Sequence, residues 1–331
     1  MHPAFSVIFF TAVSGAGYGL LFLIGLAVVI DPLAPDPIVA LLAVGVGAVL
    51  AAAGLSSSLL HLGQPQRAWR ALSQWRSSWL SREGVAALVS FVPLLLLCAL
   101  LWHFAERLAL QTLETRMLAL LRVSAAILAI AAAVTVFCTA RIYTSLKAIP
   151  AWHNAYVLPG YLLLGLLGGA SLFWLLDAAA GAGSAPWLRR GLPLLVAFLA
   201  VASWLLKRAY WRSIETAPAG STPESATGLG RFGAVRSVEA PHTEENYLTR
   251  EMGFVIARRH AARLRTIAAL AFALLPLLLA VLATPAPLHA AGWVLAPFAT
   301  AGVIAGTFVE RWLFFAEAKH VVMLYYGAAR S

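Results

Sequence analysis

Runs of about twenty apolar residues recur along the whole chain, and no other feature limits its fold so sharply. A run of that length is what a helix needs to cross roughly 30 Å of hydrocarbon. Strands with open edges would leave backbone groups unpaired in lipid, so such runs can only be helices. Hydrophobic residues make up 61% of the 331 and charged residues only 11%, which leaves no soluble domain of ordinary size. The expected fold is all-α: a polytopic membrane protein, one integral-membrane domain over 1–331, with eight transmembrane helices in a bundle.

The spans read as Phe5–Ile30, Ile38–Leu60, Gly84–Trp102, Met117–Cys138, Ala155–Leu176, Gly191–Trp211, Thr266–Ala283 and Ala291–Phe315. The first has no basic flank and no A-x-A site, so it reads as a retained helix and not as a cleaved signal. Its Gly15–Gly19 stretch carries small residues four apart, the spacing that lets membrane helices approach closely. Pro93 in the third span is tolerable inside a bundle. No convincing internal sequence repeat is present. The two cysteines, Cys98 and Cys138, both fall in apolar runs and give neither a CxxC pair nor an iron–sulfur ligand set. No bound cofactor or metal is expected.

Charge sets the orientation. With eight spans, 19 of the 24 lysines and arginines fall on the side that carries both termini and the 56–83 connection. Excess basic charge marks the cytoplasmic side. The net charge of +10 therefore reads as topology and affinity for anionic lipid, with no call for nucleic acid. A bacterial plasma membrane is the expected location. The longest polar stretch, 213–265, becomes a cytoplasmic loop between helices 6 and 7.

The same parity gathers His61, Glu83, Arg141, Tyr143, Trp152, His153, Glu310, Arg311, Glu317 and His320 at one membrane face. Polar residues at membrane depth are costly and read as functional by default. This set offers proton carriers near neutrality, arginines that can polarise a carbonyl, and aromatics that can sandwich a flat ring. A lipid-soluble quinone needs those three things. Arg70, on the polar connection, belongs with the candidate quinone-binding residues His61, Glu83, Arg141, Tyr143, Trp152, His153 and Arg311, of which His61 and Glu83 are the catalytic candidates.

Each has a plainer reading. His61 can cap its helix, and Glu83, just after Ser81, can be a first-turn carboxylate favoured by the helix dipole. Arg67, Arg70, Arg76 and Arg82 suit topology signals, and Trp69, Trp75, Trp79, Trp152 and Trp312 suit an interfacial belt. Arg122 can snorkel to the headgroups. A haem is disfavoured, since His61 and His103 lie at span ends on opposite sides.

The runs SLLHLGQPQRAW through LSRE, RIYTSLKAIPAWHN and VERWLFF resemble the membrane-anchor subunits of the dimethyl sulfoxide reductase family, within the broader NrfD/DmsC-like anchors of molybdopterin oxidoreductases. The resemblance covers most of the chain. It implies an eight-helix, cofactor-free membrane anchor for an iron–sulfur subunit, which in turn bears a molybdopterin catalytic subunit. It also implies exchange of electrons and protons with a quinone. The family's quinone-site histidine falls on His61, its acidic partner on Glu83 and the arginine of its last helix on Arg311. The first helix lacks the amide residue many members have near Ser14 and Gly15. Within the long loop, STPESATGLG and PHTEENYLTREMGF resemble the subgroup linked to quinone-dependent sulfite dehydrogenase, whose catalytic module is cytoplasmic.

In that loop, Ser213–Ala240 has the composition of solvated chain. From Pro241, with Thr243 as N-cap, a helix is expected that ends in Arg258, Arg259, Arg263 and Arg265, with Leu248, Met252, Val255 and Ile256 at helical spacing. It suits either the membrane surface or a docked iron–sulfur partner. Two rival functions stand beside the quinone reading: a small-solute transporter, which calls for discontinuous helices with polar groups at mid-membrane, and a purely structural anchor.

Overall fold

The computed structural model describes residues 4–62, 64–181, 183–216, 221–236, 238–239, 260–285 and 291–326, with His61 described in its backbone only. Among these residues there is no strand, and eight helices are long and apolar enough to span a membrane. They are α1 (Phe5–Ile30), α2 (Pro37–Ser58), α3 (Trp79–Ala109), α4 (Thr115–Thr144), α5 (Val157–Ala180), α6 (Pro186–Glu215), α7 (Ala261–Ala283) and α8 (Gly292–Ala316). The all-α, eight-span expectation is met.

The helices outrun the apolar stretches that announced them. Helix α3 begins five residues before the apolar run and ends seven after it, and α4 carries on through Arg141 and Tyr143. Apolar composition marks only the hydrocarbon-deep part, whereas backbone hydrogen bonding continues through the polar interface. The correction matters for Glu83, which lies one turn inside α3 and not at its cap. It matters as well for Arg263 and Arg265, which open α7 instead of closing a loop helix. The expected helix from Pro241 falls on 240–259, outside the described residues. Before it, the stretch read as plain solvated chain holds a short helix, Pro223–Thr227, whose Thr222 and Ser225 side chains each bond the other's backbone N–H.

Packing divides the spans into two rings of four. Helices α1, α2, α3 and α4 pack each on the next with α4 closing back on α1, and α5 to α8 repeat the order. The rings meet along α1 and α5, and α1 also touches α8. Helix α1 is the most enclosed span, with 72% of its apolar window buried. Its small residues explain how. A Cβ on Gly19 would stand 1.9 Å from the Gly165 carbonyl oxygen, and one on Gly169 would stand 2.2 Å from the Gly19 carbonyl carbon. The two backbones touch, as the four-residue spacing from Gly15 to Gly19 predicts.

At the end away from Glu83 the rings are stitched by backbone. Ala185 N–H donates to the Ala34 carbonyl at 2.7 Å, and Asp36 N–H donates to Ser184 Oγ at 3.0 Å. Asp36 also caps α2 by accepting from Ile38 N–H at 2.8 Å, with Pro37 at the first helical position. All eight spans run as continuous helices, with single π turns at Phe10–Ser14 in α1 and Leu270–Leu274 in α7. A π turn inside a helix commonly marks a functional site, and the one in α1 lies beside the site below.

Candidate functional site

Buried polar side chains concentrate at the end where α1, α3, α5 and α7 begin and α2, α4, α6 and α8 finish. Lys207 on α6 and the adjacent Glu310 and Arg311 on α8 are exposed by only 3%, 1% and 3%. Charges so far from water persist only when paired. The Glu310 carboxylate meets both cations, Lys207 Nζ through one oxygen and Arg311 Nε at 2.5 Å through the other. Both cations also lie over rings: Lys207 Nζ is 3.9 Å from the Tyr210 centroid and Arg311 Cζ is 4.2 Å from that of Tyr161. Two positive charges against one negative leave the group net cationic.

Arg311 borders a narrow cleft of about 10 Å³ between α1, α5 and α8, room for about one water, lined also by Thr11, Tyr161, Gly165 and Thr307. The hydroxyls of Tyr161 and Thr307 are buried without a well-aligned hydrogen-bond partner among the described residues. Such groups are rare in folded proteins and call for a ligand, water or ion. The π turn of α1 contributes Thr11, whose own hydroxyl is spent on the Val7 and Ile8 carbonyls at 3.0 and 3.1 Å. On the α1 side the cleft is thus lined by the small residues Thr11, Ala12 and Gly15.

A second buried acid lies across the first ring. Glu83 is 4% exposed and its carboxyl contacts Thr139 Oγ1 on α4, which also donates to the Thr135 carbonyl at 3.1 Å. A hydroxyl has one hydrogen. Thr139 shares it between the Glu83 carboxyl and the Thr135 carbonyl, as Thr11 shares its own between Val7 and Ile8. Two turns along α3, Ser90 shares a 3.2 Å bond with the Tyr18 hydroxyl of α1.

The start of α3 is held by the polar connection before it. The segment Pro65–Gln74 is a 3-10 helix with no buried residue. Ser81 Oγ donates to the Ala71 carbonyl, and Arg82 donates to the carbonyls of Trp75 at 2.9 Å and Arg76 at 2.6 Å. The Trp79 ring then meets two guanidinium groups, Arg82 at 4.3 Å and Arg141 at 5.0 Å from its centroid.

The residues singled out from sequence therefore divide. Glu83 and Arg311 are buried at the expected end, and Arg141 stands half-buried near the start of α3. Tyr143 and Trp152 are buried, but their rings pack on protein: Tyr143 stacks on Tyr161 at 5.5 Å and Trp152 on Phe314 at 5.8 Å, with Trp152 Nε1 donating to the Phe314 carbonyl at 3.0 Å. Arg70 is exposed beside Trp69. His153 is exposed, and its Nδ1 bonds the Thr144 carbonyl at 2.6 Å. His61 closes the turn Leu59–His61, and its side chain lies outside the described atoms.

At the same end of the bundle, Glu215 at the close of α6 and Glu317 just after α8 bracket Arg265, which donates to Glu317 Oε1 at 3.0 Å. Burial pushes the Glu317 carboxyl above the usual carboxylate range, partly opposed by Arg265. His320 accepts from Val322 N–H at 2.9 Å, and burial holds its ring below the ordinary histidine range.

Lys207, Tyr161, Thr139 and Thr307 are members of these two sites that sequence reasoning missed. The available signals were an i, i+4 threonine pair, Thr135 and Thr139, and a lysine near the end of an apolar run that matches Glu310 in depth. Among the described residues no cluster of histidine, cysteine or carboxylate could hold a metal.

The sequence matches the DMSO reductase anchor subunit (DmsC) family over residues 1–327. It is 32% identical over 337 aligned positions to a sulfite dehydrogenase subunit of Allochromatium vinosum, covering 98% of this chain and 99% of that one. It is 27% identical to a chain of the anaerobic dimethyl sulfoxide reductase of Escherichia coli, over 57% of this chain and 61% of the relative. No solved structure matches.

Proposed function

The chain belongs to the DMSO reductase anchor subunit family, and from that premise we propose that it is the quinone-reactive subunit of a membrane-bound sulfite-oxidising complex. It is a multi-pass membrane subunit of an oxidoreductase complex. Its partners on this reading are an iron–sulfur subunit and a molybdopterin catalytic subunit, both cytoplasmic. The near full-length similarity to a sulfite dehydrogenase subunit supports the substrate, and the excess of basic residues at the Glu83 end supports the orientation.

The observation that carries the quinone reading is the net-cationic group of Lys207, Glu310 and Arg311 beside a cleft lined by the buried side chains of Tyr161 and Thr307. A quinone carbonyl gains negative charge as it is reduced and must then take up protons. Arg311 and the Tyr161 and Thr307 hydroxyls are the donors the cleft lining offers to such an oxygen, in a water-poor setting where preorganised donors act most strongly. Glu83, with Thr139, holds a proton at the same end of the bundle, and His61 orients and protonates the ring on the family's pattern. The protein contributes binding, orientation and electrostatics, and its partners supply the redox centres. The aromatic cluster around Tyr143 serves to fix Arg311 and Tyr161, since its rings are filled by one another.

The test compares two rates in the intact complex. Glu83→Gln and His61→Ala are expected to lower quinone-linked sulfite oxidation on the order of a hundredfold, while sulfite oxidation with an artificial dye acceptor and subunit assembly stay at wild-type levels. Full quinone-linked turnover in both variants would sink the reading, and loss of assembly alone would leave a purely structural anchor. The same site run in reverse, taking electrons from quinol for a dimethyl sulfoxide reductase, is the second reading, favoured by the partial match to the Escherichia coli protein. Dimethyl sulfoxide in place of sulfite in the same assay separates the two.

A further inference from the structure

On the lipid-facing side of the second ring, away from the cleft, an apolar trough runs between α6 and α7. Its walls are Val201 and Trp204 on α6 and Ala269, Leu270, Ala273 and Leu277 on α7. The small residues Ala269 and Ala273 line it among larger side chains, and the π turn of α7, Leu270–Leu274, lies along it. Its volume, about 530 Å³, falls within the roughly 300–1,000 Å³ that ligand sites occupy.

One end of the trough differs from the rest. Towards the charge-rich face it finishes against Trp211, Thr266, Arg208 and Arg265. Arg265 is engaged by Glu215 and Glu317 and acts as a wall. Arg208 is exposed, lies 5.5 Å from the Trp204 centroid and has no acidic partner among the described residues. Arg212 and Arg263, also exposed, stand near the same end of the two helices. A long apolar slot that ends in unpaired positive charge and indole rings at interface depth matches a molecule with an acyl chain and an anionic head.

We propose that the α6–α7 trough is a binding site for an anionic phospholipid, its phosphate on Arg208 and one acyl chain lying over Ala269 and Ala273. A quinone fits the slot less well, because its head carries no charge to match Arg208. The site is independent of the cleft at Arg311, which faces the seam between the rings.

The experiment is native mass spectrometry of the full chain in its purified complex, stripped of lipid in mild detergent and then given phosphatidylglycerol or phosphatidylcholine with the same acyl chains. Phosphatidylglycerol is expected to be retained preferentially. Arg208→Gln should reduce that retention about fivefold, the factor expected for one interfacial cation. Ala269→Phe, which fills the slot and leaves the arginines in place, should also release the lipid. Equal retention of both lipids, or phosphatidylglycerol binding that survives both substitutions, would overturn the proposal. So would protection against thermal unfolding by inorganic phosphate equal to that given by phosphatidylglycerol, or displacement of the retained lipid by added quinone.

Discussion

Glu310 is the shared counter-ion of two cations, so its loss and the loss of either partner are unequal events. In Lys207→Met, Glu310 and Arg311 remain as a one-to-one pair. In Glu310→Gln, Lys207 and Arg311 are left buried with no counter-charge. Removing the shared partner of buried ions costs about 3–5 kcal/mol, whereas an apolar replacement that keeps the remainder paired costs far less. The unfolding midpoint of the detergent-solubilised complex should therefore fall much further for Glu310→Gln than for Lys207→Met; equal shifts would show that Lys207 is not part of the balance. Thr139→Val is a milder case, since it strands one carboxyl and should cost about 1–3 kcal/mol, measured by the same midpoint. At this scale the sequence was informative about which end of the bundle is polar and poor about partners. Glu310 and Lys207 are about a hundred residues apart in sequence, and only the packing of α6 on its neighbours reveals that they meet. Tyr143 and Trp152, expected to sandwich a flat ligand, were legible as aromatic, but composition cannot distinguish rings that await a guest from rings that stack on each other.

At the scale of elements, the glycines of α1 and α5 act as a contact surface. Gly169→Ala would place a methyl group 2.2 Å from the Gly19 carbonyl carbon, so the helices must separate. Overpacking of this kind costs about 1–3 kcal/mol and occasionally more. Gly45 on α2 is the control: a Cβ there meets nothing within 4 Å, and Gly45→Ala should be neutral or stabilising by about 0.5–1 kcal/mol. Melting curves of the two variants side by side check the pair, and equal behaviour would deny the close crossing. All eight spans were legible as apolar runs. Their ends were not, because the residues at a helix end answer to the interface and to neighbouring loops. The folded-back segment before α3 shows this: Arg82 read as a topology signal, whereas it and Ser81 hold the carbonyls of Ala71, Trp75 and Arg76.

The whole molecule repeats one packing order twice although its halves share no visible sequence pattern. Packing order is set by where small and large residues fall on each helix, and many sequences satisfy it. Orientation is likewise a property of the entire chain. With the Glu83 end in the cytoplasm, Ser73→Cys should react with a membrane-impermeant maleimide only in inverted vesicles, and Gln111→Cys only in right-side-out ones. The reverse pattern would move the site, and the partner subunits with it, to the other side of the membrane.

The crossing of α1 on α5 also sets a schedule. Gly19 and Gly169 are about 150 residues apart, so at roughly 5–20 residues per second the ribosome needs on the order of ten to thirty seconds to deliver the second after the first. Throughout that interval the innermost helix of the finished protein sits in the bilayer with its smoothest face uncovered. A nascent polypeptide released before α5 would display that bare stripe indefinitely, which marks half-made copies as targets for the membrane's quality-control proteases.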